Sequence, residues 1–284
     1  MALGTQSAPE LTREQVQTML VQPLEQESVF LSAGPRIFDT DGNVVRIPKA
    51  PESKAEELQW VGENELIPEV DHDFDELRLL PSGMKSVKTI TRFSNELARQ
   101  SIVNLEAAIR ARLVADVAAK IDERLLSDQG DGVETPRGLF AYEGVEAVTD
   151  TELTPDTLLD AYGVALAGHI DPAGLTLFLR PEDYMSMRKL KDNDGRYLLQ
   201  PDVSSGAIMV PLLGATAKIS NRIPVGKAAL VDMTKVAVAR DVAPSVKLLT
   251  ERYADYDQQA LRVVTRLDAG PLDPAGVVHI EITA

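Results

Sequence analysis

The sequence predicts an α+β fold with more parts than one compact domain requires. Three observations lead there. A long stretch with helical periodicity lies between about Ser101 and Ser127, and β-branched segments stand on both sides of it without alternating regularly with helices. Two further stretches, at the N-terminus and between Asn43 and Glu76, are too polar or too interrupted to form a core of their own.

The 284 residues leave room for about two compact units or one elaborated one. Hydrophobic residues make up 44% and charged residues 26%, which fits a folded chain rather than a disordered or fibrous one. The absence of cysteine removes disulfides, thiolate nucleophiles and cysteine-based zinc sites, and fits a fold made in a reducing cytoplasm. A formal net charge of −15 repels phosphate backbones, so any contact with nucleic acid has to be local. No apolar run approaches the roughly 20 residues of a membrane span, and MALGTQSAPELTREQ lacks the basic region and apolar core of an export signal.

Residues 1 to about 41 read as an arm. In LTREQVQTML, Thr12 and Gln15 stand at capping-box spacing and Val16, Met19 and Leu20 share a face. A short helix is therefore predicted, before Pro23, Gly34, Pro35 and the turn DTDG interrupt it. From Asn43 to about Glu76 the extended candidates NVVRIPK and ELQWVGE flank an acidic run, and DFDELRLL follows. Between Glu52 and Glu76 the acids are Glu52, Glu56, Glu57, Glu63, Glu65, Glu69, Asp71, Asp73, Asp75 and Glu76, against the single base Lys54. Such a segment cannot bury itself and is expected to project. Its Trp60 is the only tryptophan, and tryptophan is a common interface anchor, so a protein contact is favoured over local packing.

MKSVKTITRF, rich in β-branched residues, reads as a strand. In the periodic stretch after it, Ile102, Leu105, Ile109, Leu113, Val117, Ile121 and Leu125 form one stripe, with Glu106, Arg110, Arg112, Asp116, Lys120 and Glu123 elsewhere on the wheel. At 1.5 Å per residue such a helix is about 40 Å long. The GDG at Gly130–Gly132 follows the C-terminal end of this helix. A phosphate loop opens a helix instead, so GDG reads as a helix stop with turns that glycine permits.

Between about Thr149 and Arg240 the pattern is mixed. TPDTLLDAYGVALAGHI starts a helix with Thr154 as N-cap and Pro155 at the first position. LTLFL is a short buried strand, PEDYMSMRKLK a second helix, DNDG a turn, and KAALVD and KVAVAR are strands. VKLLTERY, ALRVVTRL and VVHIEIT return to extended structure, the last with Val278, Ile280 and Ile282 alternating against His279, Glu281 and Thr283. YADYD at Tyr253–Asp257 has acids where a base-stacking platform has Arg or Lys, and reads as part of an extended segment.

Sequence signatures of catalysis are missing. There is no G-x-S-x-G, no GK[ST] and no H-E-x-x-H, and the three histidines at 72, 169 and 279 do not pair at ligand spacing. Glu69, Asp71, Asp73 and Asp75 supply hard oxygens but lack the glycine and bidentate glutamate of a calcium loop, so a solvated loop is the better reading. No catalytic residue, metal site or cofactor is expected.

Three stretches in this order carry a resemblance: IPKAPESKAEELQWVGENELIPE, then IVNLEAAIRARLVADVAAKIDERLLSDQGDG with its PRGLF, then RPEDYMSMRKLKDNDGRYLLQP. Together they resemble the major capsid proteins of tailed bacteriophages, the HK97-like fold, over about residues 25 to 284. The resemblance implies an N-arm at 1–41, an extended E-loop at 42–76, a P-domain with its spine helix at 77–138, an A-domain at 139–240, and C-terminal P-domain strands at 241–284. It implies a structural protein, not an enzyme: a shell subunit of the virion, assembled in the host cytoplasm into pentamers and hexamers that enclose double-stranded DNA without reading its sequence.

Subunit-interface candidates on the arm and loop are Val16, Leu20, Trp60, Val61, Glu63, Leu66 and Ile67. Portal and possible decoration proteins are implied partners. Some members carry an N-terminal scaffold domain that a protease removes. Only about 40 residues precede the E-loop here, and Met1 argues against a trimmed product, so a separate scaffold protein is expected. Other members lock the shell with an isopeptide bond between an E-loop lysine and a P-domain asparagine, aided by a glutamate. Here no lysine lies between Lys54 and Lys85, and alignment puts Gln259 and Arg266 at the other two positions, so no crosslink is expected. Two alternatives stand beside this reading: an encapsulin-type nanocompartment enclosing cargo enzymes, and a metal-dependent hydrolase using the acidic 69–76 cluster.

Overall fold

The computed structural model of the chain describes residues 24, 27–49, 60–65, 76–96, 105–191, 194, 195, 197, 212–241 and 245–283. Their strands form four sheets. β1 (Arg36–Thr40), β9 (Val236–Asp241) and β12 (Leu267–Pro271) make one, and β2 (Val45–Pro48) pairs with β3 (Glu76–Leu79). β10 (Ser245–Leu249), β11 (Gln258–Thr265) and β4 (Val87–Ser94) make a third. The fourth has five strands in the order β5 (Glu146–Asp150), β13 (Val277–Ile282), β8 (Lys227–Asp232), β6 (Leu175–Leu179) and β7 (Thr216–Ile219).

The long helix, α1, runs from Leu105 to Leu125, 21 residues and about 31 Å; residues 101–104 of the predicted span lie outside the described residues. Leu113, Val117, Ile121 and Leu125 of the predicted stripe are buried, and Ile109 packs at its margin. They meet Phe93, Leu261, Val263 and Val246 of the β10–β11–β4 sheet in one core. After α1 the chain closes on itself. The Asp131 carboxylate accepts backbone N–H groups from Val133, Glu134 and Thr135 at 2.9–3.1 Å, which holds it well below the usual carboxylate range. A Cβ on Gly130 would stand 2.2 Å from the Pro136 carbonyl oxygen, and one on Gly138 would stand 2.1 Å from that of Ser127. GDG and the glycine of PRGLF therefore serve a close backbone approach.

The central strands of the five-stranded sheet, β13, β8 and β6, are buried on both faces. Phe178, Ala229, Val231 and Val277 face the core of α1, while Leu177, Leu179, Ala228, Leu230, Val278 and Ile280 face a second core. Double burial explains the continuous apolar runs LTLFL and KAALV. The second core is closed by α2 (Pro155–Ala167) and α3 (Pro181–Arg188), which supply Leu158, Ala161, Tyr184 and Met187. The cap of α2 is the predicted one: the Thr154 side chain accepts from the Thr157 N–H and Pro155 opens the helix.

Three expectations change. VVHIEIT has no solvent face at its start: His279 is buried with its ring Nε2 2.9 Å from the Leu139 carbonyl oxygen, and burial pushes its pKa down. Its strand, β13, which the domain boundaries group with the P-domain strands, pairs with β5 and β8 inside the five-stranded sheet. YADYD is not extended. Ala254–Tyr256 is a 3₁₀ turn and Asp257 sits in the left-handed region, so the segment reverses the chain between β10 and β11.

Candidate subunit interface

The interface candidates fall in two stretches of the sequence, and the described residues show how each stretch is rooted. The hairpin begins at β2 and returns at β3, with Val45 opposite Leu79 and Pro48 opposite Glu76. Val45, Ile47, Leu77 and Leu79 pack with Leu80, Met84, Ala237 and Ala239 in a small core between the hairpin and the β1–β9–β12 sheet. Leu80, the first residue past β3, has φ +55°, a conformation that costs a non-glycine residue energy. The Asp268 carboxylate of β12 holds it there, accepting the Leu80 N–H at 3.0 Å and the Ala269 N–H at 2.9 Å.

Asp268 is only 2% exposed, and burial pushes its carboxyl up from 3.8 to about 6, against the pull of those two N–H groups and of Arg137 and Arg266. Between pH 3.8 and 6 the folded chain thus binds a proton there that the unfolded chain does not. Stability from this site is fully present below pH 3.8 and is lost as pH rises through 6. Urea unfolding is expected to show wild-type stability falling with rising pH across that window by about 3 kcal/mol more than that of Asp268→Asn. Equal losses in the two proteins would remove the assignment.

The arm is rooted on α1. Asp122, 2% exposed, accepts Ser28 Oγ at 2.6 Å, the Val29 N–H at 2.8 Å and the Phe30 N–H at 3.2 Å. Burial raises its pKa in spite of these bonds. Phe30, fully buried, stacks on Phe178 of β6 with centroids 6.1 Å apart. Asp122 was not among the residues singled out from the sequence. A signal for it exists: it continues the buried series Val114, Ala118 by one more step of four.

Of the predicted residues, Trp60, Val61 and Glu63 are described, while Val16, Leu20, Leu66 and Ile67 lie outside the described residues. Trp60–Glu65 contains a turn, not the predicted strand: Gly62 N–H donates to Glu65 Oε2 at 3.1 Å, and Asn64 has φ +65°. Trp60 is fully exposed and Glu63 is exposed, with Val61 half-buried. The acidic residues from Glu69 to Asp75 lie outside the described residues, and among the described ones no three His, Asp or Glu side chains are grouped to hold a metal ion. Arg266, aligned to the position of a crosslinking glutamate, donates from Nη2 to the Pro81 carbonyl oxygen at 2.5 Å. Gln259 lies on β11 opposite Phe93.

The model of the phage capsid family matches residues 11–282. Solved structures with the same fold include the capsid of an empty GTA particle, 16% identical over 90% of each chain with a TM-score of 0.71. Mycobacterium phage Cain is 18% identical over 97% of this chain and 100% of that one, at 0.66. A virus-like particle from Pyrococcus furiosus is 14% identical over 94% and 98%, at 0.57. No curated protein matches.

Proposed function

The chain belongs to the phage capsid family and carries its HK97-like α+β fold, and from that premise we propose that this capsid shell protein assembles into the pentamers and hexamers of an icosahedral head around double-stranded DNA. The observation that carries the reading is a family match running through arm, hairpin, long helix and both cores alike. It is supported by the cost of the appendages. An arm tied down by a buried carboxylate and a hairpin with its own small core are well anchored at their roots, yet the hairpin shows Trp60 wholly to solvent. A monomer gains nothing from such an arrangement, whereas a subunit that overlaps its neighbours buries that surface.

The domain spans read from the sequence, and the seven interface candidates, are part of this proposal, with β13 moved from the P-domain strands into the A-domain sheet. So are a separate scaffold protein, a portal and a decoration protein, and assembly in the host cytoplasm. The shell is held by non-covalent overlap, because Arg266 cannot accept the proton that isopeptide formation must give up. Assembled particles boiled in SDS are expected to run as a single band near 30.9 kDa. A ladder of pentamer- and hexamer-sized bands would overturn the non-covalent account. The contents of the same particles separate this reading from a cargo-enclosing compartment: DNA supports it, and a packaged enzyme without DNA contradicts it.

A further inference from the structure

Three aspartates in the chain are followed directly by glycine: Asp41–Gly42, Asp131–Gly132 and Asp194–Gly195. Such a pair is chemically vulnerable, because glycine has no Cβ to keep its own amide nitrogen away from the carboxyl carbon of the preceding side chain. Reaction requires that neither group is already held elsewhere, and here the fold treats the three pairs differently.

Asp131 is held on every side. Its Oδ1 accepts the N–H groups of Val133, Glu134 and Thr135 at 2.9–3.1 Å and the Thr135 hydroxyl at 3.2 Å. These bonds keep the carboxyl ionised, a state in which it has no hydroxyl to lose as water. The Gly132 N–H is committed as well, donating to the Thr135 carbonyl oxygen at 3.0 Å. Asp194 also has a partner. Asp41 has neither restraint. It lies with Gly42 in the exposed bend between β1 and β2, and neither its carboxylate nor the Gly42 N–H has a hydrogen-bond partner among the described residues. Gly42 has φ +84°, and nothing lies within 4 Å of where its Cβ would stand. The flanks of the bend are fixed by contrast: Thr40 Oγ1 donates to the Asn43 carbonyl oxygen at 2.8 Å, and Arg240 Nε donates to Asp39 Oδ1 at 2.8 Å. The reactive pair is thus kept in a short exposed turn with both of its own groups unspent.

We propose that Asp41 is a site of spontaneous isoaspartate formation, a modification that lengthens the main chain between the β1–β9–β12 sheet and the root of the hairpin. The Gly42 nitrogen attacks Cγ of the protonated Asp41 carboxyl. A new C–N bond forms, the C–OH bond breaks, and the hydroxyl leaves with the amide proton as one water, which closes a cyclic imide. Water then adds to either ring carbonyl. At Cγ it restores aspartate; at the main-chain carbonyl it breaks the original Asp41–Gly42 bond, so that the chain runs through Cβ and Cγ. The atoms balance without oxidant, reductant or cofactor. The link gains one methylene, about 1.5 Å of chain. Phe38 on one side of it and Val45 on the other pack in the same small core, so the added length acts at the edge of that core. The freed α-carboxylate becomes a branch, the chemical group that a carboxyl methyltransferase using S-adenosylmethionine esterifies.

The test incubates the purified chain near neutral pH in heavy-oxygen water and maps isoaspartate by mass spectrometry and selective enzymatic methylation. A sample in guanidinium gives the rate of each pair without the fold. Asp41 in the folded chain is expected to convert at close to its denatured rate, and Asp131 about tenfold slower than its own or worse. Asp41 held back as strongly as Asp131 would overturn the proposal. So would unrestrained conversion at both, since the fold would then make no distinction between them. Asp41→Asn, which closes the same imide by losing ammonia instead of water, should convert several-fold faster, and an unchanged rate would contradict the imide route. If that variant misfolds, the wild-type map still decides.

Discussion

A chain whose residues 50–72 are replaced by a short Gly/Ser linker is expected to fold as the wild type does and to form no particles. Of the replaced span the described residues, 60–65, belong to neither large core: one is centred on α1 and the β10–β11–β4 sheet, the other on the five-stranded sheet with α2 and α3. The strands at the root, Val45–Pro48 and Glu76–Leu79, are retained and keep their small core. Loss of a projecting segment removes little that is buried on folding, so the melting temperature should move by no more than about 3 °C. Assembly should vanish, because the segment carries the acidic run and Trp60, whose fully exposed side chain the shell reading buries against a neighbour. Thermal unfolding and sedimentation read the two halves separately. Particles from the shortened chain would contradict the hairpin's role, and an unfolded chain would contradict its independence from the cores.

Asp122→Ala is expected to cost about 3 kcal/mol in urea unfolding, more than other single substitutions on the exposed or half-buried side of α1. The carboxylate is the acceptor for Ser28 Oγ and for the Val29 and Phe30 N–H groups, all at the point where the arm meets the helix. Alanine leaves those donors facing apolar side chains, and each unpaired buried donor costs roughly 1–3 kcal/mol. Phe30 should loosen from Phe178, opening the arm's root to limited proteolysis while α1 stays folded. Asp122→Asn, which keeps one acceptor oxygen, should fall between the two. A loss below about 0.5 kcal/mol, with the arm still protected, would show that packing of Phe30 alone roots the arm.

Local signals in the sequence carry much of the fold. The stripe from Leu113 to Leu125, the Thr154–Pro155 cap, and LTLFL and KAALVD all appear where short-range periodicity and capping chemistry place them, because neighbours within a few residues decide those features. Long-range pairings decide the rest. β1 runs parallel to β9 some 200 residues away, with Arg36 opposite Ala237, and nothing in RIFDT announces that partner. VVHIEIT alternates as a half-exposed strand does, yet it lies between two cores, so its polar His279 is accommodated by a carbonyl oxygen rather than by water. The roots of the appendages were hidden for the same reason. Asp122 and Asp268 read as ordinary acids until Ser28 and Leu80 arrive from 94 and 188 residues away. The hairpin's Trp60 was visible as an interface candidate because a lone tryptophan in an acidic run has no local reason to be there.

Negative-stain electron microscopy of the purified chain, with the proposed scaffold protein supplied, tests the central claim most directly. The account predicts closed shells of uniform diameter, or pentameric and hexameric rings that become shells as concentration rises. A monodisperse monomer at every concentration and salt, with scaffold present, would contradict it.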